Sequence, residues 1–151
     1  MDVTEKVIVL DFGSQYTQLI ARRVREAGIY SEIHPCTTPL EVLRGLAPKA
    51  LILSGGPSSV TQPGAPTLTP GVLDLGLPVL GICYGMQLLA HTQGGAVTQA
   101  TDREYGRAEF TLDKDCLLWD GIERDKALKV WMSHGDKVLA PGVVERLTEE
   151  F

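Results

Sequence analysis

A cysteine held between two glycines is the residue of this sequence best placed for covalent chemistry. Gly81-Ile82-Cys83-Tyr84-Gly85 has the form G-x-C-x-G, the pattern of a nucleophile elbow with sulfur in place of oxygen. A short apolar strand, Val79 to Ile82, runs into it, and a helix from Tyr84 to about Gln93 follows. The glycines let the turn tighten, so the middle side chain stands above the sheet. Free N–H groups and the positive dipole end of the following helix favour a thiolate over a thiol. The Tyr84 N–H is placed to donate to an oxyanion forming beside Cys83. The bland alternative is a small buried side chain that happens to lie between glycines. The strand before it and the helix after it favour the nucleophile.

Ser54-Gly55-Gly56-Pro57 supports the same chemistry. It follows the apolar run Ala50 to Leu53, and glycines there let backbone N–H groups face a ligand closely. Its alternative is a tight turn without a ligand. Neither GxxxxGK[ST] nor GxGxxG occurs, so a phosphate-binding loop is set aside. A cysteine nucleophile calls for a base, usually a histidine oriented by a carboxylate. His34 ends a strand before Pro35, and His91 lies about two turns beyond Cys83 on the elbow helix; both read as structural or surface residues. His134, in Ser133-His134-Gly135-Asp136 directly after a strand, is the one that can face the site.

The elements that would position these residues alternate in type. Val7 to Leu10 is a β-branched run, and Tyr16, Leu19, Ile20, Val24 and Ala27 then recur at helical spacing up to a stop at Gly28. Ile29 to His34 reads as a second strand. Thr38 is expected to cap a short helix with Pro39 at its first position. Ala50 to Leu53 and Val79 to Ile82 are further strands, separated by a Pro- and Thr-rich surface loop from Ser58 to Pro70. The pattern predicts an α/β fold, a mostly parallel open sheet flanked by helices. The loops after Leu10, Leu53 and Ile82 would share its carboxyl edge, where such sheets bind ligands. Beyond Gly95, Ala96 to Gln99, Ala108 to Leu112 and Leu128 to Met132 read as antiparallel strands added at one side of the sheet.

Composition excludes several classes. The 151 residues suit one domain, and 44% hydrophobic with 22% charged residues is the balance of a globular chain. A net charge of −5 without a local basic run argues against a nucleic-acid partner. No apolar stretch approaches the roughly 20 residues of a membrane helix, and no secretory signal is seen. Cys36, Cys83 and Cys116 show neither an even count nor CxxC spacing, so a reducing cytoplasm is the expected setting.

Asp11-Phe12-Gly13-Ser14-Gln15-Tyr16, Ser54-Gly55-Gly56-Pro57, Gly81 to Gln87 and Ser133-His134-Gly135-Asp136 together resemble the class I (triad) glutamine amidotransferases, in particular the glutaminase domains of GMP synthetases. The resemblance implies a flavodoxin-like sheet in which Cys83 attacks the side-chain amide of glutamine. Gly56 and Tyr84 would hold the oxyanion through their N–H groups. Gly55, Gly56, Gln87, Ser133, His134, Gly135 and Asp136 would position L-glutamine. The implied partner is an ATP-pyrophosphatase (synthetase) domain or subunit that uses the ammonia to convert XMP to GMP. ATP and Mg are expected only there, because this chain has no SGGxDS loop; no cofactor or metal is expected here.

The family's catalytic histidine and glutamate lie in an H-P-E segment, whereas the histidines here read His34-Pro35-Cys36, His91-Thr92-Gln93 and His134-Gly135-Asp136. We therefore expect a single domain over 1–151, family-like over about 7–140 and incomplete at its C-terminal end. Impaired hydrolysis is expected, with an uncovered sheet edge that favours a homodimer. The alternative functions are an inactive module that binds glutamine or a synthetase partner, and a hydrolase or redox sensor with an elbow cysteine.

Overall fold

The computed structural model describes residues 3–112, 117–123 and 126–140. Cys116 and the stretch 141–151 lie outside the described residues. Strand β1 (Lys6–Asp11) leads to helix α1 (Thr17–Glu26), β2 (Tyr30–Pro35), α2 (Leu40–Leu46) and β3 (Ala50–Leu53). A long loop with one 3₁₀ turn (Val72–Leu75) precedes β4 (Val79–Gly81), α3 (Tyr84–Thr92), β5 (Ala96–Phe110) and β6 (Leu128–Ala140).

The first four strands form one parallel sheet in the order β2-β1-β3-β4. Side chains alternate across it, as the pleat requires. Ile8, Leu10, Leu51 and Leu53 pack with Leu43 of α2 and Leu88 and Leu89 of α3. Val9 and Ile52 point the other way onto Ala21 of α1, with Ile20 and Val24 alongside. Both faces of β1 and β3 are covered, which is why these strands read as unbroken apolar runs. The predicted α/β architecture is the observed one, and its strand order is the start of the flavodoxin-like arrangement.

Two details differ from the sequence reading. Helix α2 is capped by Pro39, with no side-chain cap. The Thr38 hydroxyl instead donates back to the Pro35 carbonyl at 2.6 Å, closing the turn that leaves β2. The late strands do not extend the parallel sheet. They pair with each other as a separate antiparallel sheet, and the stretches around Gln99 and Ala108 belong to one long strand, β5, with an irregularity between Gln99 and Glu104. Continued pairing with β6 replaces the expected turn, and Val97 anchors this ribbon to the main core.

At the outer edge, Glu32 accepts from Lys6 Nζ at 3.1 Å and lies 2.9 Å from His34 Nε2. The His34 hydrogen bond, helped by Lys6, holds the Glu32 carboxyl below its ordinary range. A carboxyl with a depressed folded pKa contributes stability above its unfolded pKa and loses it as pH falls through the folded value. Glu32→Gln is accordingly expected to flatten the loss of stability below about pH 4.3. Denaturant unfolding across that range checks it, and an unchanged acid slope would count against the coupling.

Candidate active site

Strand order reverses between β1 and β3: the chain leaves β1 toward β2 on one side and returns to β3 on the other. Ligands of such sheets bind outside the carboxyl ends of the strands at this switch point, beside the loops that follow β1 and β3. The loop after β1 is shaped by Asp11, whose Oδ1 accepts from the Gly13 N–H and the Thr17 hydroxyl, each at 2.9 Å. The loop after β3 is Ser54-Gly55-Gly56-Pro57. A Cβ on Gly56 would fall on the Phe12 carbonyl, so only glycine lets the two loops meet.

The elbow stands beside these loops. Cys83 has φ +51° and ψ −111°, a left-handed conformation that costs a non-glycine residue of order 1–3 kcal/mol and persists only where the surroundings enforce it. They do. Ile82 N–H donates to the Leu53 carbonyl at 3.0 Å, Gly85 N–H to the Ser54 and Ile82 carbonyls at 3.1 and 3.0 Å, and Gln87 N–H to the Cys83 carbonyl at 3.0 Å. The flanking glycines are required by contact: a Cβ on Gly81 would lie 2.6 Å from Met86 backbone, and one on Gly85 2.6 Å from Leu53 Cβ. The motif is thus a tight strand-to-helix junction packed directly on β3.

Several sequence-predicted residues converge here. Gly55 sits against Cys83, since a Cβ built on it would be 3.4 Å from Cys83 Cβ and 3.7 Å from Ser14 Oγ. Tyr84 starts α3 with its ring buried against Phe12, centroids 5.6 Å apart. Its hydroxyl donates to the Pro66 carbonyl, tying the elbow to the long loop. Among the described residues, neither the Gly56 N–H nor the Tyr84 N–H has a hydrogen-bond acceptor. Gln87 lies one turn along α3, buried.

The remaining expectations fare differently. Ser133, His134, Gly135 and Asp136 do not follow a strand but lie inside β6, where Ser133 pairs with Tyr105, His134 with Glu104 and Asp136 with Gln99. Pairing with β5 on both sides of the irregularity between Gln99 and Glu104 keeps that segment within the strand. Helix α3, which Cys83 begins, touches both strands of this ribbon, while the side-chain roles expected of Ser133, His134 and Asp136 lie outside the described part of the structure. His34 is engaged with Glu32 on β2, at the opposite edge of the sheet from β4. His91 is near the far end of α3.

Electrostatics also shift the picture. Burial pushes the Cys83 thiol above its ordinary range, the direction opposite to the one a helix N-terminus favours. Cys36 is raised for the same reason. Ser54 is the polar residue that sequence reasoning passed over. It is fully buried, and nothing in its type or spacing separates it from an ordinary turn serine.

The chain matches the family model described as "Glutamine amidotransferase class-I" over residues 8–150. It is 60% identical over 141 residues to a GMP synthase [glutamine-hydrolyzing] of Nitratidesulfovibrio vulgaris, covering 93% of this chain and 27% of that protein. A protein of the same name from Geobacillus kaustophilus is 56% identical over 137 residues, 91% of this chain and 26% of its own length. The chain thus spans about a quarter of the length of these curated relatives. Among solved structures, a GMP synthase subunit protein from Thermoplasma acidophilum superposes with TM-score 0.75 at 29% identity, covering 89% of this chain and 67% of that one. A glutamine amidotransferase from Thermotoga maritima, at 19% identity and TM-score 0.65 over 91% of this chain and 64% of its own, shares the fold. A match of that extent, on a chain whose cysteine stands at an enforced elbow, places this protein in the class-I glutamine amidotransferase family.

Proposed function

We propose that this chain is the glutaminase portion of a GMP synthase, releasing ammonia from L-glutamine through a thioester on Cys83. The observation that carries the reading is the enforced backbone at Cys83 beside two N–H groups without acceptors among the described residues. Cys83 Sγ, once deprotonated, adds to the side-chain amide carbon, and the electron pair of the C=O moves onto oxygen. The Gly56 and Tyr84 N–H groups receive that oxyanion. Collapse breaks the C–N bond, and the amide nitrogen takes up the one proton the thiol gave up and leaves as ammonia; water then attacks the thioester carbon, its hydroxyl forming the glutamate carboxyl and its other hydrogen returning to sulfur as the thiol.

Gly55, Gln87 and the Ser133–Asp136 segment form the rest of the glutamine site. The ammonia serves a synthetase domain or subunit that binds ATP and Mg²⁺ and converts XMP to GMP in the cytoplasm.

Covalent capture tests the reading without depending on turnover. A chloroketone analogue of glutamine is expected to label Cys83 faster than iodoacetamide does, to spare Cys36, and to be slowed by free glutamine. Labelling of both cysteines at similar rates, unaffected by glutamine, would overturn it.

A further inference from the structure

The hydrogen bonds around Ser54 have a consequence for the direction of the Gly56 N–H. Ser54 lies at the end of β3, with no exposed surface, and its hydroxyl serves the loops after β1 and β3. It accepts from the Phe12 N–H at 2.9 Å and donates to the Gly55 carbonyl at 2.8 Å. Its own backbone extends the ties: Ser54 N–H donates to the Leu10 carbonyl at 3.0 Å, and its carbonyl accepts from Gly85 N–H at 3.1 Å. One residue thereby links the β1 loop, the β3 loop and the elbow.

The Gly55 carbonyl and the Gly56 N–H belong to the same peptide unit. A trans peptide is planar, with its C=O and N–H pointing in opposite directions. Holding the carbonyl on Ser54 Oγ therefore aims the Gly56 N–H away from Ser54. That plane lies between two glycines, which without side chains do not themselves fix its rotation. We propose that Ser54 is a positioning residue: its hydroxyl locks the Gly55–Gly56 peptide so that the Gly56 N–H faces the oxyanion formed on Cys83. The proposal rests on the glutaminase reading above and names a residue that acts through another.

The orientation matters because an oxyanion donor contributes only if it already points at the developing charge. Removing such a donor lowers turnover by about 10²–10³-fold. Mis-aiming one should cost somewhat less, roughly 10–10²-fold, and should fall on the chemical step rather than on glutamine binding. A turn-stabilising serine would instead affect folding alone.

The test compares capture of Cys83 by a chloroketone analogue of glutamine, whose carbonyl becomes an oxyanion when the thiolate adds, with alkylation by iodoacetamide, which forms no oxyanion. Ser54→Ala is expected to lower the chloroketone-to-iodoacetamide rate ratio by roughly 10–10²-fold, leaving the glutamine concentration that half-protects Cys83 unchanged. If Ser54→Ala does not fold, Ser54→Cys, a near-isosteric weak donor, carries the comparison with an intermediate ratio. A folded variant that keeps the parent ratio overturns the proposal. A parent protein with no preference for the chloroketone and no protection by glutamine removes the glutaminase reading itself, and the proposal with it.

Discussion

Replacing Cys83 with glycine is expected to abolish capture by the glutamine analogue and any release of ammonia, and yet to give a more stable protein than Cys83→Ala. Both substitutions remove the sulfur. They differ only in the Cβ, at a residue held at φ +51°. At an ordinary helical position alanine is more stable than glycine by about 1 kcal/mol. Here the order should invert, by about 1–3 kcal/mol, because glycine adopts this backbone without the steric cost. For a domain of this size that is about 2–4 °C in melting temperature per kcal/mol. Side-by-side thermal unfolding of the two variants decides it: an alanine variant as stable as the glycine variant would mean that the elbow stores no strain.

Gly85→Ala is expected to cause a large loss of stability. The new Cβ would lie 2.6 Å from Leu53 Cβ and 2.8 Å from Leu53 C, and Leu53 is fully buried in β3. Flexible side-chain ends can move aside, but a backbone carbon in the sheet cannot. Overpacking typically costs about 1–3 kcal/mol, and an obstacle made of main chain places this case at about 3 kcal/mol or more. The elbow must also shift to make room. A displacement near 1 Å at a reacting group costs on the order of 10²-fold in rate. Capture of Cys83 by the chloroketone should therefore slow even in the fraction that folds. Gly45→Ala provides the control: it lies inside α2 with nothing within 4 Å of the added carbon, and it should raise stability by about 1 kcal/mol. Denaturant unfolding of the pair settles the matter, and a Gly85→Ala protein as stable as its parent would contradict the packing described for the elbow.

How much of this was legible beforehand follows from burial. Strands β1, β3 and β4 were readable because a parallel strand covered on both faces needs an apolar residue at nearly every position, and Val7 to Leu10 and Ala50 to Leu53 satisfy that without interruption. The elbow was readable for a different reason: two glycines around a cysteine, between a strand and a helix, answer a steric demand, and the structure locates it at Met86 and Leu53. The start of α2 was missed by one residue because the Thr38 hydroxyl had a competing acceptor, the Pro35 carbonyl, that becomes a neighbour only once β2 has turned. The long ribbon was missed in extent because antiparallel pairing can carry a strand past residues that read locally as a turn.

Local residue type and spacing were enough for the class of fold, the parallel strands, the cysteine elbow and the glycine-rich turns beside it. Tertiary structure alone decided three things. It set how far the Cys83 thiol is desolvated, because that depends on what packs over it. It placed Ser133 to Asp136 within a strand rather than after one, because pairing with β5 is a contact between residues distant in the chain. It also joined Ser54 to Phe12 and Gly55, a bridge between loops that follow different strands. A hydroxyl's choice of partner is set by which polar groups the fold brings within reach, and that is written in no single stretch of sequence.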